Sequence, residues 1–152
     1  MRETRAVSTP LGYALTLAIT AILVTGLLVA GTGFVEQRQE SVIREELSVI
    51  GQQVAADFAR VDRLVVAADS SGTSLTATTR QTFPERVSGS SYRLSLDPSA
   101  ERLVLTSAAP EVRVTVSVTN RTTLRESTVD GGTVAVTYNG THGSDALEVN
   151  DA

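Results

Sequence analysis

Three patterns of apolar and polar positions follow one another along this chain, and each predicts a different element. From Pro10 to Val35 there is no Asp, Glu, Lys, Arg or His. Such a run, coiled as a helix, spans roughly 39 Å, enough to cross a ~30 Å hydrocarbon core with some tilt. It is too long for the apolar region of an ordinary secretory signal. From Glu36 onward the apolar residues thin to one face. Ile43, Leu47, Ile50, Val54, Phe58, Val61 and Val65 recur at steps of three and four, the signature of an amphipathic helix. Arg44, Glu45, Gln52, Asp57, Arg60 and Arg63 fall elsewhere around the wheel. No proline lies between Leu11 and Thr82, so the pattern predicts one helix from about Pro10 to Ala68, weakened at Gly31, Gly33 and Gly51.

After Asp69-Ser70-Ser71-Gly72 the period changes to two. Strands are predicted at Ser74–Thr79, Tyr92–Leu96, Arg102–Thr106, Glu111–Thr119, Thr133–Tyr138 and Ala146–Val149. In Val112-Arg113-Val114-Thr115-Val116-Ser117-Val118 the valines share one face and the polar residues the other. Turns are predicted at Gly89-Ser90-Ser91, Asp97-Pro98-Ser99, Ala109-Pro110, Asp130-Gly131-Gly132 and Asn139-Gly140, the fourth and fifth as hairpin connections. The expected fold is α+β: a long N-terminal helix, its first half an anchor and its second half covering a small antiparallel sheet. By segment this means a leader at 1–6, a transmembrane helix at 7–35, an amphipathic stalk helix at 36–69 and a β domain at 70–152.

Charge orients that arrangement. Arg2 and Arg5 outnumber Glu3 ahead of the apolar run, whereas Glu36, Glu40, Glu45 and Glu46 outnumber Arg38 and Arg44 just behind it. The positive-inside bias places the N-terminus in the cytoplasm and residues 36–152 outside. That part holds eleven Arg against sixteen acidic residues, a net −5. An acidic balance argues against nucleic acid as a ligand. Lysine is absent, which fits either a salt-adapted proteome or GC-rich codon usage. Cysteine is absent too, which excludes disulfides, thiolate nucleophiles and Cys-ligated metal sites.

A charged leader ending in Arg5-Ala6, followed by Val7-Ser8-Thr9-Pro10-Leu11-Gly12 and an apolar helix, resembles the class III signal of archaeal type IV pilin-like proteins, especially those of halophilic archaea. The resemblance covers about residues 5 to 30. It implies a prepilin-type peptidase that cuts between Ala6 and Val7, and partners that are membrane lipid and other pilin-like subunits or copies of the chain itself. Leu11 takes the fifth mature position, where bacterial pilins carry Glu, and this points to a minor subunit. Cutting before the apolar run leaves that helix on the mature protein, where it can sit in lipid and later pack in a filament. A plain single-pass anchor, with Arg5-Ala6 accidental, is the competing reading.

Catalytic and metal-binding constellations are missing from the sequence. His142 is the sole histidine and has no evident companions. Asp97, Glu101, Glu111 and Asp130 are scattered at turns and strand edges rather than paired. Neither a cofactor nor a metal site is expected. Two sequons, Asn120-Arg121-Thr122 and Asn139-Gly140-Thr141, are candidate N-glycosylation sites. In the anchor, Ala14/Ala18 and Gly26/Ala30 have the small-xxx-small spacing that permits close helix approach, although Thr16, Thr20 and Thr25 can equally bond to their own helix. The sequence thus points to a non-enzymatic, cell-surface, pilin-like subunit of a type IV pilus-like filament. The alternative is a membrane-tethered β module that binds or senses and does not polymerise.

Overall fold

The computed structural model describes residues 4–140 and 144–152, with the side chains of 4–10, 32 and 144 left out. The chain forms two compact units that divide between Gln39 and Glu40. A single helix, α1 (Thr4–Ser70), contributes to both. Its main chain is helical from Thr4, ahead of the expected start at Pro10. Pro10 therefore lies in the second turn, where its missing N–H forfeits a bond to the Ala6 carbonyl. Ser71, Gly72 and Thr73 close the other end, their amides donating to Ala68, Asp69 and Ala68.

In the first unit, α1 is long and apolar enough to cross a membrane, with a mean hydropathy of 2.3 in its most apolar window. Leu11, Leu15, Leu17, Ile19, Ile22, Leu23, Leu27 and Leu28 are all exposed, as are the residues between them.

The second unit is α+β. Nine strands follow the helix: β1 (Thr76–Thr82), β2 (Arg86–Val87), β3 (Ser90–Asp97), β4 (Arg102–Ser107), β5 (Arg113–Ser117), β6 (Thr123–Leu124), β7 (Ser127–Asp130), β8 (Thr133–Asn139) and β9 (Ser144–Asp151). They form two sheets rather than the expected one. The first has the order β1-β8-β9-β6; the second has the order β2-β3-β4-β5, with β7 also pairing β3. Pairing is antiparallel throughout except β6 with β9, which is parallel. Asp130-Gly131-Gly132 is correspondingly not a hairpin: it carries the chain from β7 in one sheet to β8 in the other. Gly131 is needed there, because a Cβ would lie 2.5 Å from Cε1 of Tyr92.

Ile43, Leu47, Ile50, Val54, Phe58, Val61 and Val65 are all buried and share one core with Leu94, Leu96, Leu103, Leu105, Val136, Leu147 and Val149 from both sheets. The valines of β5 and its flanks turn inward, Val112 and Val118 fully and Val114 and Val116 partly, while Arg113, Thr115 and Ser117 are exposed. Gly51 belongs to the same contact. A Cβ there would meet Val116 Cγ2 at 2.8 Å and Leu105 Cδ1 at 2.9 Å. What looks from sequence like a helix weakness is the point where the helix backbone lies directly on β4 and β5.

Two substitutions test this packing. Phe58→Ala is expected to cost about 3–5 kcal/mol through the cavity it leaves, whereas the control Arg63→Ala, at an exposed position of the same helix, changes little. Gly51→Ala is expected to lower stability even though alanine favours a helix by about 1 kcal/mol, because overpacking costs about 1–3 kcal/mol. Chemical denaturation followed by circular dichroism reads both. Equal effects of Phe58→Ala and Arg63→Ala, or a more stable Gly51→Ala, would contradict the assigned face.

Candidate functional site

The apolar part of α1 carries its polar groups in an internally satisfied form. Thr16, Thr20 and Thr25 hydroxyls donate to the carbonyls of Gly12, Thr16 and Ala21 at 2.9, 2.8 and 2.8 Å. They therefore offer the surroundings methyl groups more than free hydroxyls. Gly12, Gly26, Gly31 and Gly33 have open space where a Cβ would be. At the polar end, the Arg38 guanidinium lies 5.6 Å from the Phe34 ring centre. The result is a smooth surface of alkyl groups and small residues, suited to lipid or to another helix.

Arg5, Ala6 and Val7 fall in the first two turns of α1.

In the second unit one buried polar group, Asp62, lies on the helix. Its Oδ1 accepts from the Arg121 amide at 2.9 Å and the Thr122 amide at 2.8 Å. Burial pushes this carboxyl up, but bonds from the Thr122 hydroxyl and both amides, with the Arg121 charge, bring it below the usual aspartate value. The sequence pattern gave Asp62 no role, and the only available signal was an acidic residue set directly beside the core position Val61. Asp57 is a second departure: the helical wheel puts it outside the apolar stripe, yet it is buried. Burial raises its carboxyl, and Arg60 at 3.5 Å only partly offsets this.

Asp62 also bears on the first sequon. Asn120 Nδ2 donates to the Thr122 carbonyl at 2.6 Å, while Asn120 Oδ1 is buried without a partner. With Nδ2 engaged and the next two residues held by Asp62, modification of Asn120 requires this loop to open. Asn139 is half-buried at the end of β8, where the β8–β9 hairpin begins. Its sequon partner Thr141, like His142, lies outside the described residues.

The scattered carboxylates are used locally. Asp97 accepts from the Ser99 and Ala100 amides at 3.1 and 3.2 Å, stabilising its turn, and its carboxyl is lowered first by the Ser99 hydroxyl. Asp130 pairs with Arg93 at 3.0 Å on the surface. Glu101 has a left-handed backbone, φ 49°. Among the described residues no group of three or more His, Cys, Asp or Glu side chains could hold a metal. A hollow of about 660 Å³ is an open depression between Arg86, Arg93, Thr106 and Asp130. The structure brings together the helix stripe, and it sets Arg121 and Thr122 of the first sequon and Gly140 of the second around one open hollow beside Asp69 and Asp145.

With this geometry established, comparison places the chain: it belongs to a family of unknown function (DUF7266), whose model matches residues 2–150. No curated protein and no solved structure matches it.

The two helix carboxylates act on stability with opposite signs. Asp62 has a lowered folded-state pKa, so its contribution is present above the unfolded value near 4 and is lost as pH falls through the folded value. Asp57 has a raised pKa, so its charged form is a penalty that grows as pH rises through that value. Asp62→Ala is expected to cost about 1–3 kcal/mol at neutral pH by leaving two amides without their acceptor, and Asp57→Asn to stabilise at the same pH. Urea midpoints measured between pH 3 and 7 check both signs. A neutral Asp62→Ala would show that water replaces the carboxylate at no cost.

Proposed function

We propose that this DUF7266 protein is a non-enzymatic, single-pass membrane protein, a pilin-like subunit of a type IV pilus-like surface filament. Its N-terminus lies in the cytoplasm and its β domain faces the exterior. The observation that carries this reading is the change of character within one helix. Residues 11–31 and 33–35 are exposed on every side and mostly apolar, while from Ile43 onward the stripe Ile43 to Val65 is covered by the domain's own strands and, of the large apolar residues outside it, Val49 and Leu64 are exposed. A helix of the first kind needs lipid or like helices around it, and a helix of the second kind is already satisfied. The Arg5-Ala6 junction ahead of Val7-Ser8-Thr9-Pro10-Leu11-Gly12 adds the processing logic: removal of residues 1–6 would leave the apolar helix on the mature chain.

In this reading the partners are membrane lipid, a prepilin-type peptidase, and other pilin-like subunits or further copies. The carboxylates described above support it indirectly, since Asp62 and Asp97 hold backbone turns and Asp130 an arginine. The acidic exterior, net −5, fits a salt-rich surrounding in which self-repulsion is screened over ~3 Å at 1 M rather than ~10 Å at 0.1 M.

Leader processing distinguishes a pilin-like subunit from a tethered β module. Intact mass and N-terminal sequencing of the protein extracted from native membranes are expected to show a chain beginning at Val7, and Ala6→Leu is expected to leave the leader in place. A mature protein beginning at Met1 or Arg2 would remove the main support for the pilin-like reading. A start beyond Gly33 would show that the helix is a removed signal.

A further inference from the structure

The outer edge of β1 is the longest strand edge that pairs with no other described strand. β1 runs for seven residues at the end of its sheet, whereas β6, at the opposite end, has two. Its hydrogen-bond alternation can be worked out. The Phe83 amide donates to the Gly132 carbonyl at 3.0 Å and the Gly140 amide to the Leu75 carbonyl at 3.1 Å, one at each end of the β1–β8 ladder. Both fall in the register that sets Thr79 against Val136. Antiparallel pairing alternates, so Leu75, Ala77, Thr79, Gln81 and Phe83 direct their N–H and C=O groups at β8. Thr78, Arg80 and Thr82 therefore direct theirs outward. All three are exposed, and their segment contains no proline, no bulge and no lysine, the usual means of blunting an edge.

We propose that this edge is an interface between two copies of the chain, β1 against β1 in antiparallel register about a two-fold axis at Thr79. Self-pairing at this position sets Thr78 opposite Arg80 of the second copy, and Arg80 opposite its Thr78. Each pair exchanges two backbone hydrogen bonds, and Thr82 at either end comes beside Thr76 of the other copy. An axis at Arg80 would set two guanidinium groups directly opposite each other, and an axis at Thr78 would shorten the overlap. With the axis at Thr79, the only charge on the strand faces a hydroxyl, and the two arginines lie on a diagonal about 7–8 Å apart on the solvent side. The two four-stranded sheets would become one continuous sheet across the axis. This interface belongs to the β domain, so it does not depend on leader processing or on the pilin-like reading.

The natural chain has no cysteine, so single replacements in the full-length protein in detergent micelles give a clean test. At the axis the two Thr79 residues form a non-hydrogen-bonded pair with Cα atoms about 4.5 Å apart, within the range a disulfide spans. Thr79→Cys is expected to oxidise to a dimer, while Thr115→Cys on β5 stays monomeric. In a mixture, Thr78→Cys and Arg80→Cys are expected to crosslink to each other more than to themselves. Thr78→Pro removes an outward N–H and spares the β8 ladder, so added to Thr79→Cys it is expected to abolish the dimer while the circular dichroism spectrum is kept. Dimer yield is expected to rise from 0.1 M to 1 M salt, as the diagonal arginines are screened. No dimer at Thr79→Cys, a stronger self-crosslink at Thr78→Cys, or a dimer that survives Thr78→Pro in a folded chain would each overturn the proposal. If the proline variant unfolds, the crosslink between positions 78 and 80 decides alone.

Discussion

Everything in the folded unit depends on covering one face of a helix. Seven large residues from Ile43 to Val65 lie within a narrow arc, and burying each is favourable by about 1.5–3 kcal/mol relative to leaving it in water. Strands β2 to β7 are short, between two and eight residues, and neither sheet closes on itself. Sheets of this kind gain independent stability only when an apolar face is packed. Helix and sheets supply each other's missing layer. The first part of α1 has no such partner within its own unit and no polar face. Its requirement is therefore external, and lipid or other apolar helices meet it.

Polar groups at the margins of that contact set its details. Gly51 allows the helix backbone to approach Val116 and Leu105. Asp62 reaches from the helix to the amides of Arg121 and Thr122 and so holds the loop that follows β5. Asp57 shows the opposite balance: its carboxylate is buried with only an exposed arginine as partner. Two carboxylates on one helix, five residues apart, thus differ in sign because one meets backbone donors and the other meets mostly apolar surroundings.

The α+β class, the long apolar helix and the face it buries were legible from spacing alone, because a helical period sustained from Ile43 to Val65 has few other solutions. The strands with alternating valine and leucine, β3, β4, β5 and β8, were legible for the same reason. β2, β6 and β7 were not, because two to four residues cannot display a period of two. Nor was the split into two sheets, which turns on Gly131 and Gly132 crossing between sheets rather than closing a hairpin. The bounds of β1 slipped from Ser74–Thr79 to Thr76–Thr82 because Thr-Ala-Thr-Thr-Arg-Gln-Thr has no apolar alternation to anchor a register. Of the candidate functional residues, the stripe was visible in sequence. The engagement of Asn120 was invisible, since it depends on Asp62, far away along the chain.

α1 is apolar all round in its first part, long enough to cross a membrane, and buries one stripe from Ile43 to Val65 in its second. The most direct test of this division is a cysteine scan from Leu11 to Val65, read by a membrane-impermeant thiol reagent applied from outside. Uniform protection is expected through about Val35, then reactivity with a period near 3.6: high at Arg44, Gln52 and Arg63, low at Leu47, Val54 and Phe58. Reactivity throughout Leu11 to Val35, or a 3.6-residue period extending through that segment, would contradict it.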